Sequence, residues 1–305
     1  MIPDVTGHPG SRVAILAVLG ASILFGTTGT AQDLGPDSST PLGVGTLRIV
    51  VGAMALWVLA GTRPRWSAMS TSARRAVVLG ALGVAAYQPG FFLGTERSGV
   101  ALGTMIALGS GPVFAGIITW LLDRRLPGRW WWIATTVMAA GAGLLVSDGG
   151  SVGGDANTLD PVGAIASLVA GAGYALYAVM TRRAIVAGVR STEALAWQFT
   201  LGAVLLSPAL ISPVTGVPLG WVLTWSGGLV LAHLGVLTVG VAYLLYGIGL
   251  RVLEPATAVS VTLVEPLTAT LVAIVVLGER LGAVGIVGTV LVIAGLGVLT
   301  RDQTV

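Results

Sequence analysis

Apolar residues fall in long unbroken runs along the chain, and short polar or Pro/Gly-rich stretches separate them. A helix crossing a hydrocarbon core about 30 Å thick needs roughly 20 apolar residues. Ten runs reach that length: Val13–Ala31, Leu42–Gly61, Arg74–Gly94, Gly99–Leu122, Trp130–Ser147, Pro161–Thr181, Thr192–Ile211, Gly220–Gly247, Pro255–Leu277 and Leu281–Thr300. Because the runs are continuous and not alternating, an outer-membrane barrel is excluded. The first run is longer than a signal-peptide core and is interrupted by Thr27, Thr28 and Thr30, so it reads as a retained span.

Composition agrees with this pattern. Hydrophobic residues make up 54% of the 305 residues, charged ones only 10%, and the mean hydropathy is +0.91. A soluble domain carries roughly 25% charged residues. The absence of Cys rules out a disulfide framework. All 16 basic residues are Arg, and no basic run with interleaved aromatics appears, so no nucleic-acid partner is expected.

The Arg residues instead report topology. With the N-terminus in the cytoplasm, Arg12, Arg63, Arg65, Arg74, Arg75, Arg124, Arg125, Arg129, Arg182, Arg183, Arg190, Arg251 and Arg301 share the cytoplasmic side. Only Arg97 and Arg280 fall on the other side, and Arg48 lies inside a span. The acidic Asp33, Asp37, Glu96, Asp148, Asp155, Asp160 and Glu279 lean outward. This asymmetry predicts a multi-pass membrane protein with both termini in the cytoplasm.

Shifting the chain by about half its length aligns weakly similar segments in order. Arg48 meets Gln198, Phe25-Gly-Thr-Thr meets Tyr174-Ala-Leu-Tyr, Arg97 meets Arg251, and Gly111-Pro-Val-Phe-Ala meets Glu265-Pro-Leu-Thr-Ala. Each half holds five spans, an odd number, so the second half enters the membrane from the opposite face. The expected fold is therefore all-α and integral to the membrane: ten transmembrane helices as two inverted five-helix repeats around a central cavity. The expected units are residues 1–148 and 160–305, joined by an extracytoplasmic linker at 149–159. Similar, oppositely inserted halves are a transporter signature, because exchanging their conformations moves the opening from one face to the other.

Polar groups inside spans mark the candidate site. Glu265 sits near the middle of the ninth span, directly before Pro266. A carboxylate there is costly and faces a cavity or a partner, and the proline frees a carbonyl in the preceding turn. It reads either as a proton-coupling or solute-contacting group, or as a cap on a broken helix or a partner for an Arg. In the first half Gly111-Pro112 keeps the break and loses the acid. Arg48, with a planar fork suited to a carboxylate, reads either as a solute ligand or as a partner of Glu265 or of helix carbonyls. Gln88, before Pro89, marks another expected kink. Thr28, Tyr87, Tyr174, Tyr177, Trp197, Gln198, His233 and Tyr243 complete the candidate cavity wall, with packing as the alternative for the aromatic residues and for His233. Trp130, Trp131 and Trp132 read as an interfacial belt.

Small residues in Ala139-Ala-Gly-Ala-Gly and at Gly282, Gly285 and Gly288 suit spans five and ten to close packing against neighbours or, as a homodimer, a second protomer. Neither span carries an intramembrane charge, so both are expected to lie off the solute path. Two His and no Cys give no metal ligand set, and no nucleotide-binding sequence is present. No cofactor is expected; transport would run on a gradient of solute or protons.

The run Leu263-Val-Glu-Pro, an apolar helix, then Gly278-Glu-Arg-Leu281 resembles the EamA-type branch of the drug/metabolite transporter superfamily. Leu47-Arg48 and the connection Gly94-Thr-Glu-Arg-Ser-Gly-Val-Ala101 are similar to that family as well, whereas Asp123-Arg-Arg-Leu126 departs from its Gly-Glu-Arg-Leu loop. The resemblance covers nearly the whole chain. It implies a ten-helix basket in which spans one to four and six to nine enclose a cavity, with spans five and ten outside. It also implies a carrier of small polar metabolites, often amino acids, that works without a dedicated cofactor. The sequence-level expectation is a secondary exporter of such a solute. The alternatives are an efflux carrier for quaternary amines or drugs, a membrane-embedded enzyme, and a non-transporting scaffold.

Overall fold

The computed structural model describes residues 9–61, 66–149, 160–211, 218–278 and 280–302, and these are all-helical. The linker at 150–159, Arg63, Arg65 and Glu279 lie outside the described residues. In chain order the α-helices are α1 (Pro9–Gly26), α2 (Thr28–Asp33), α3 (Pro41–Ala60), α4 (Thr71–Ser98), α5 (Val100–Asp123), α6 (Arg129–Gly149) and α7 (Pro161–Val186). They continue with α8 (Ser191–Leu206), α9 (Pro208–Ile211), α10 (Trp225–Ala232), α11 (Ala242–Gly249), α12 (Pro255–Val261), α13 (Glu265–Leu277) and α14 (Ala283–Asp302).

Helix starts follow local chemistry. Thr40 accepts from Gly43 N (3.2 Å) ahead of Pro41, and Asp160 Oδ1 accepts from Val162 N (2.7 Å) and Gly163 N (3.1 Å) ahead of Pro161. Each side chain satisfies amides that a first turn leaves without helical partners, and proline at the first position loses nothing.

Among the described residues, nine helical stretches are long and apolar enough to cross a membrane. The expected seventh span, Thr192–Ile211, is instead split into α8, 16 residues long, and the four-residue α9. Pro208 opens the second piece, and a proline cannot donate into the preceding turn. Large apolar side chains cover the outer surface, with Val58 80% and Val275 83% exposed. Such a surface suits lipid, not water.

Three spans are irregular. The first breaks at Thr27, between α1 and α2. The eighth passes through a π-helical segment, His233–Val241, between α10 and α11. The ninth breaks at a 3₁₀ turn, Thr262–Val264, just before Glu265. The break expected at Glu265-Pro266 is thus present. The one expected at Gly111-Pro112 is not, since α5 runs through those residues, and α4 likewise runs unbroken through Pro89, the site of the expected kink. A proline removes one donor, and a long helix packed on both sides tolerates that single loss.

Packing is dense between particular pairs: α4 along α7, α6 along α14, α3 against α8 and the π segment, α1 against α11 and α13, and α5 against α7 and α12. Glycines set the closest approaches. A Cβ on Gly83 of α4 would sit 2.6 Å from Gly173 O, and one on Gly173 would sit 2.7 Å from Gly83 O. Gly141 of α6 and Gly288 of α14 face each other in the same way, each 2.7 Å from the other's carbonyl. The small-residue faces of spans five and ten therefore meet within the chain, and Asp148 Oδ2 accepts from Gly282 N (2.6 Å) at the end of that pair. Overpacking such a contact costs about 1–3 kcal/mol. Gly83→Val is expected to lower the melting temperature in detergent, whereas Val78→Leu on the exposed face of α4 leaves it unchanged.

Candidate functional site

The irregular spans surround a cavity of about 390 Å³ inside the bundle. Its wall holds four of the five tyrosines (Tyr87, Tyr174, Tyr177, Tyr243) and four of the five phenylalanines (Phe25, Phe91, Phe92, Phe199), and none of the nine tryptophans. The rings touch in series. Phe25 lies 5.1 Å from Tyr243, Tyr243 4.5 Å from Phe199, Tyr174 5.2 Å from Tyr177, and Tyr87 stacks on Phe91 at 5.7 Å. The phenol oxygens of Tyr177 and Tyr243 are 2.8 Å apart, and Tyr174 bonds to Thr262 in the 3₁₀ turn. These bonds fix the rings and leave their faces toward the cavity.

Two formal charges lie in the wall, Arg48 and Glu265. Arg48 Nη2 donates to Gln88 Oε1 at 3.3 Å; with the amide turned so that its oxygen faces the guanidinium, Nε and Nη2 each donate at 3.1 Å. Gln88 thereby occupies the side edge of the guanidinium and leaves Nη1 for another acceptor. Glu265 is half-buried on the first turn of α13. No described residue hydrogen-bonds or ion-pairs with its carboxylate, and in particular Arg48 does not. The cavity thus offers one guanidinium and one carboxylate, in ion-pair contact neither with each other nor with another described residue, and a wall of aromatic rings. The remaining polar groups include Thr28, Thr30, Gln32, Thr104, Thr238 and Thr270.

Eight of the residues singled out from sequence meet here: Thr28, Arg48, Tyr87, Gln88, Tyr174, Tyr177, Tyr243 and Glu265. Trp197, Gln198 and His233 do not line the cavity. Trp197 packs edge-on to Trp57 and Trp66, at 5.2 and 5.1 Å. Gln198 is fully buried between α7 and α8, its Oε1 2.8 Å from Thr181 Oγ1. His233 Nε2 lies 2.9 Å from Thr27 Oγ1, at the break between α1 and α2. That hydroxyl already donates to Leu24 O (2.7 Å), so the imidazole is the donor.

Sequence reasoning passed over the phenylalanines, since Phe fills lipid-facing and core positions equally well. It also set span five apart, yet α6 contributes Leu145 and Val146 to the wall. The wall has a direction. On α1, α4, α6 and the ninth span, α12 with α13 taken together, it takes residues from the middle to the C-terminal end, and on α3 and α5 from the N-terminal half. The cavity therefore occupies one end of the bundle, opposite the end where Arg74, Arg75, Arg124, Arg125, Arg182 and Arg183 lie.

Comparison with known proteins places this architecture. The model of the EamA-like transporter family matches residues 12–147 and 161–301. The chain is 36% identical over 286 residues to the uncharacterized transporter YwfM of Bacillus subtilis (strain 168), covering 93% of each chain. It is 30% identical over 137 residues to an uncharacterized transporter of Clostridium kluyveri, covering 45% of this chain and 43% of that protein. A solved crystal structure superposes with a TM-score of 0.78 at 18% identity, over 96% of this chain and 98% of that one, a likeness of fold.

Proposed function

The chain belongs to the EamA-like transporter family, and from that premise we propose that this multi-pass membrane transporter is a secondary carrier that exports small polar or amphipathic metabolites such as amino acids. The observation that carries the reading is the cavity: one free guanidinium edge and one unpartnered carboxylate, set among eight aromatic rings. A zwitterion presents both charges to such a wall, its carboxylate to Arg48 and its ammonium to Glu265, while the rings take its apolar part.

Alternating access supplies the mechanism. Two inverted repeats, at 1–148 and 160–305, have the two matched stretches in their support. The packing pairs support them too: exchanging halves turns α4 on α7 into α1 on α11, and α5 on α7 into α13 on α1. On this reading spans two to four and seven to nine are counterparts, and ten spans result when α8 with α9 counts as one. The Arg-rich end is the cytoplasmic end of a protein in the bacterial cytoplasmic membrane, so the conformation described is open to the outside. Glu265 is the candidate for proton coupling.

A second reading, efflux of quaternary amines, is favoured by the unpartnered carboxylate among ring faces, since such rings attract cations that carry no donor. One screen separates the two. Purified protein, titrated with amino acids, nucleobases and quaternary amines, is expected to show raised melting temperatures and counterflow in proteoliposomes with amphipathic amino acids. A response to quaternary amines alone would transfer the assignment to the second reading.

A further inference from the structure

Toward the Arg-rich end the cavity lining reaches Tyr174, Tyr177, Phe199 and Tyr243, and beyond them Thr181, Leu195, Tyr246 and Leu250 are fully buried. The connection between α7 and α8 stands over that end, turned at Gly188 (φ +92°). Arg182 and Arg183, near the end of α7, and Arg190, in the connection, each reach a different helix. Arg182 Nη1 donates to Leu250 O (3.1 Å) and Arg251 O (2.7 Å) at the end of α11. Arg183 pairs with Asp123, the last residue of α5. Arg190 donates through Nη2 to Ala60 O, the last residue of α3, and through Nε to Glu193 Oε1 at 3.3 Å. All three targets are helix C-termini, where carbonyls lack helical partners and the helix dipole is negative.

The first half has no such device. The corresponding stretch, the end of α2 and residues 34–40, carries Asp33 and Asp37 and no Arg. Among the described residues, its hydrogen bonds stay local: Gly35 N to Gln32 O, Ser39 N to Pro36 O, and Gly43 N to Thr40 Oγ1. That connection lies at the open end of the cavity.

We infer that Arg182, Arg183 and Arg190 are positioning residues that form a one-sided latch. By tying α3, α5 and α11 to the end of α7 and to the α7–α8 connection, they hold the Arg-rich end closed, and this end opens only when they release. The half-exposed arginines can exchange their protein partners for water, so the latch is reversible. The cavity's preference for one opening then follows from a difference in charge between the two connections. The inference rests on the transport reading, because a latch has work to do only where the opening changes ends.

The test needs no knowledge of the solute. The chain has no Cys, so single reporters can be placed directly. Thr181 is fully buried one turn beyond Tyr177 on the same face of α7, between the cavity floor and the latch. Thr104 lines the cavity toward its open end. Each reporter, Thr181→Cys or Thr104→Cys, is labelled with a water-soluble maleimide in membrane vesicles of both orientations. In the background Arg182→Gln/Arg183→Gln, labelling of Thr181→Cys from the Arg-rich side is expected to rise roughly five-fold or more. Labelling of Thr104→Cys from the opposite side should fall in step, as a shift between two states requires. Where the double variant does not insert, Arg190→Gln carries the same expectation. A rise at both positions would mean general loosening and overturn the latch, as would no change at either. Unchanged labelling with solute flux intact removes the latch and leaves the carrier standing; reciprocal labelling without flux of any solute removes the carrier and leaves the latch.

Discussion

Replacing Arg48 with Met is expected to weaken solute binding roughly ten- to hundred-fold, because a hydrogen bond to a charged partner contributes about 1.5–3 kcal/mol. The geometry makes this an effect on the solute and not on the fold alone. Gln88 holds the side edge of the guanidinium, so the remaining donors point where no protein acceptor waits. Removing Arg48 also strips Gln88, 1% exposed, of its partner, and a buried amide left unpaired destabilises the protein. The double variant Arg48→Met/Gln88→Met removes that second effect. It should melt closer to wild type than Arg48→Met while binding no better. Arg48→Lys keeps the charge but not the fork, and should recover part of the affinity. Titration by thermal shift with the solutes that stabilise the wild type measures all three. Equal affinity in wild type and Arg48→Met would remove Arg48 from the site.

How legible this was in the sequence depended on the cost of each feature. Charges inside a membrane are expensive, so Arg48 and Glu265 stood out against apolar neighbours, and both line the cavity. The break at Glu265-Pro266 was visible because proline removes a donor at a known place. The same rule overreached at Pro112, where α5 absorbs the loss. The π segment His233–Val241 left no trace, since shifting hydrogen-bond partners by one residue changes no side chain. Nor did the aromatic wall. Phe25, Phe91, Phe92 and Phe199 become a set only when three helices converge, whereas Trp197 looked like a cavity residue and pairs with Trp57 and Trp66. Glycines at the α4–α7 contact were hidden by their number: with 45 in the chain, nothing local marks Gly83 and Gly173 as the pair that lets two backbones touch.

Glu265→Gln is expected to flatten the pH dependence of flux while leaving the fold in place. The amide matches the carboxylate in shape, and no described residue loses an ion pair, so melting should stay near the wild-type value. Three irregular spans meet at this residue. Its own backbone carbonyl lies 2.8 Å from where a Cβ on Gly26 would stand, one residue before the break at Thr27. Thr27 in turn is held by His233 at the start of the π segment. A charge change at Glu265 is therefore felt where the first, eighth and ninth spans can bend, which is what coupling a proton to a change of opening demands. In proteoliposomes, wild-type flux should vary with pH and respond to an imposed pH gradient, because a coupled carboxylate exchanges its proton once per cycle. Counterflow without a gradient should survive in the Gln variant, as exchange of solute needs no proton. An unchanged pH profile in Glu265→Gln would remove the coupling role and leave Glu265 as the anionic contact for the solute. In that case its loss should appear as weakened binding of ammonium-bearing solutes alone.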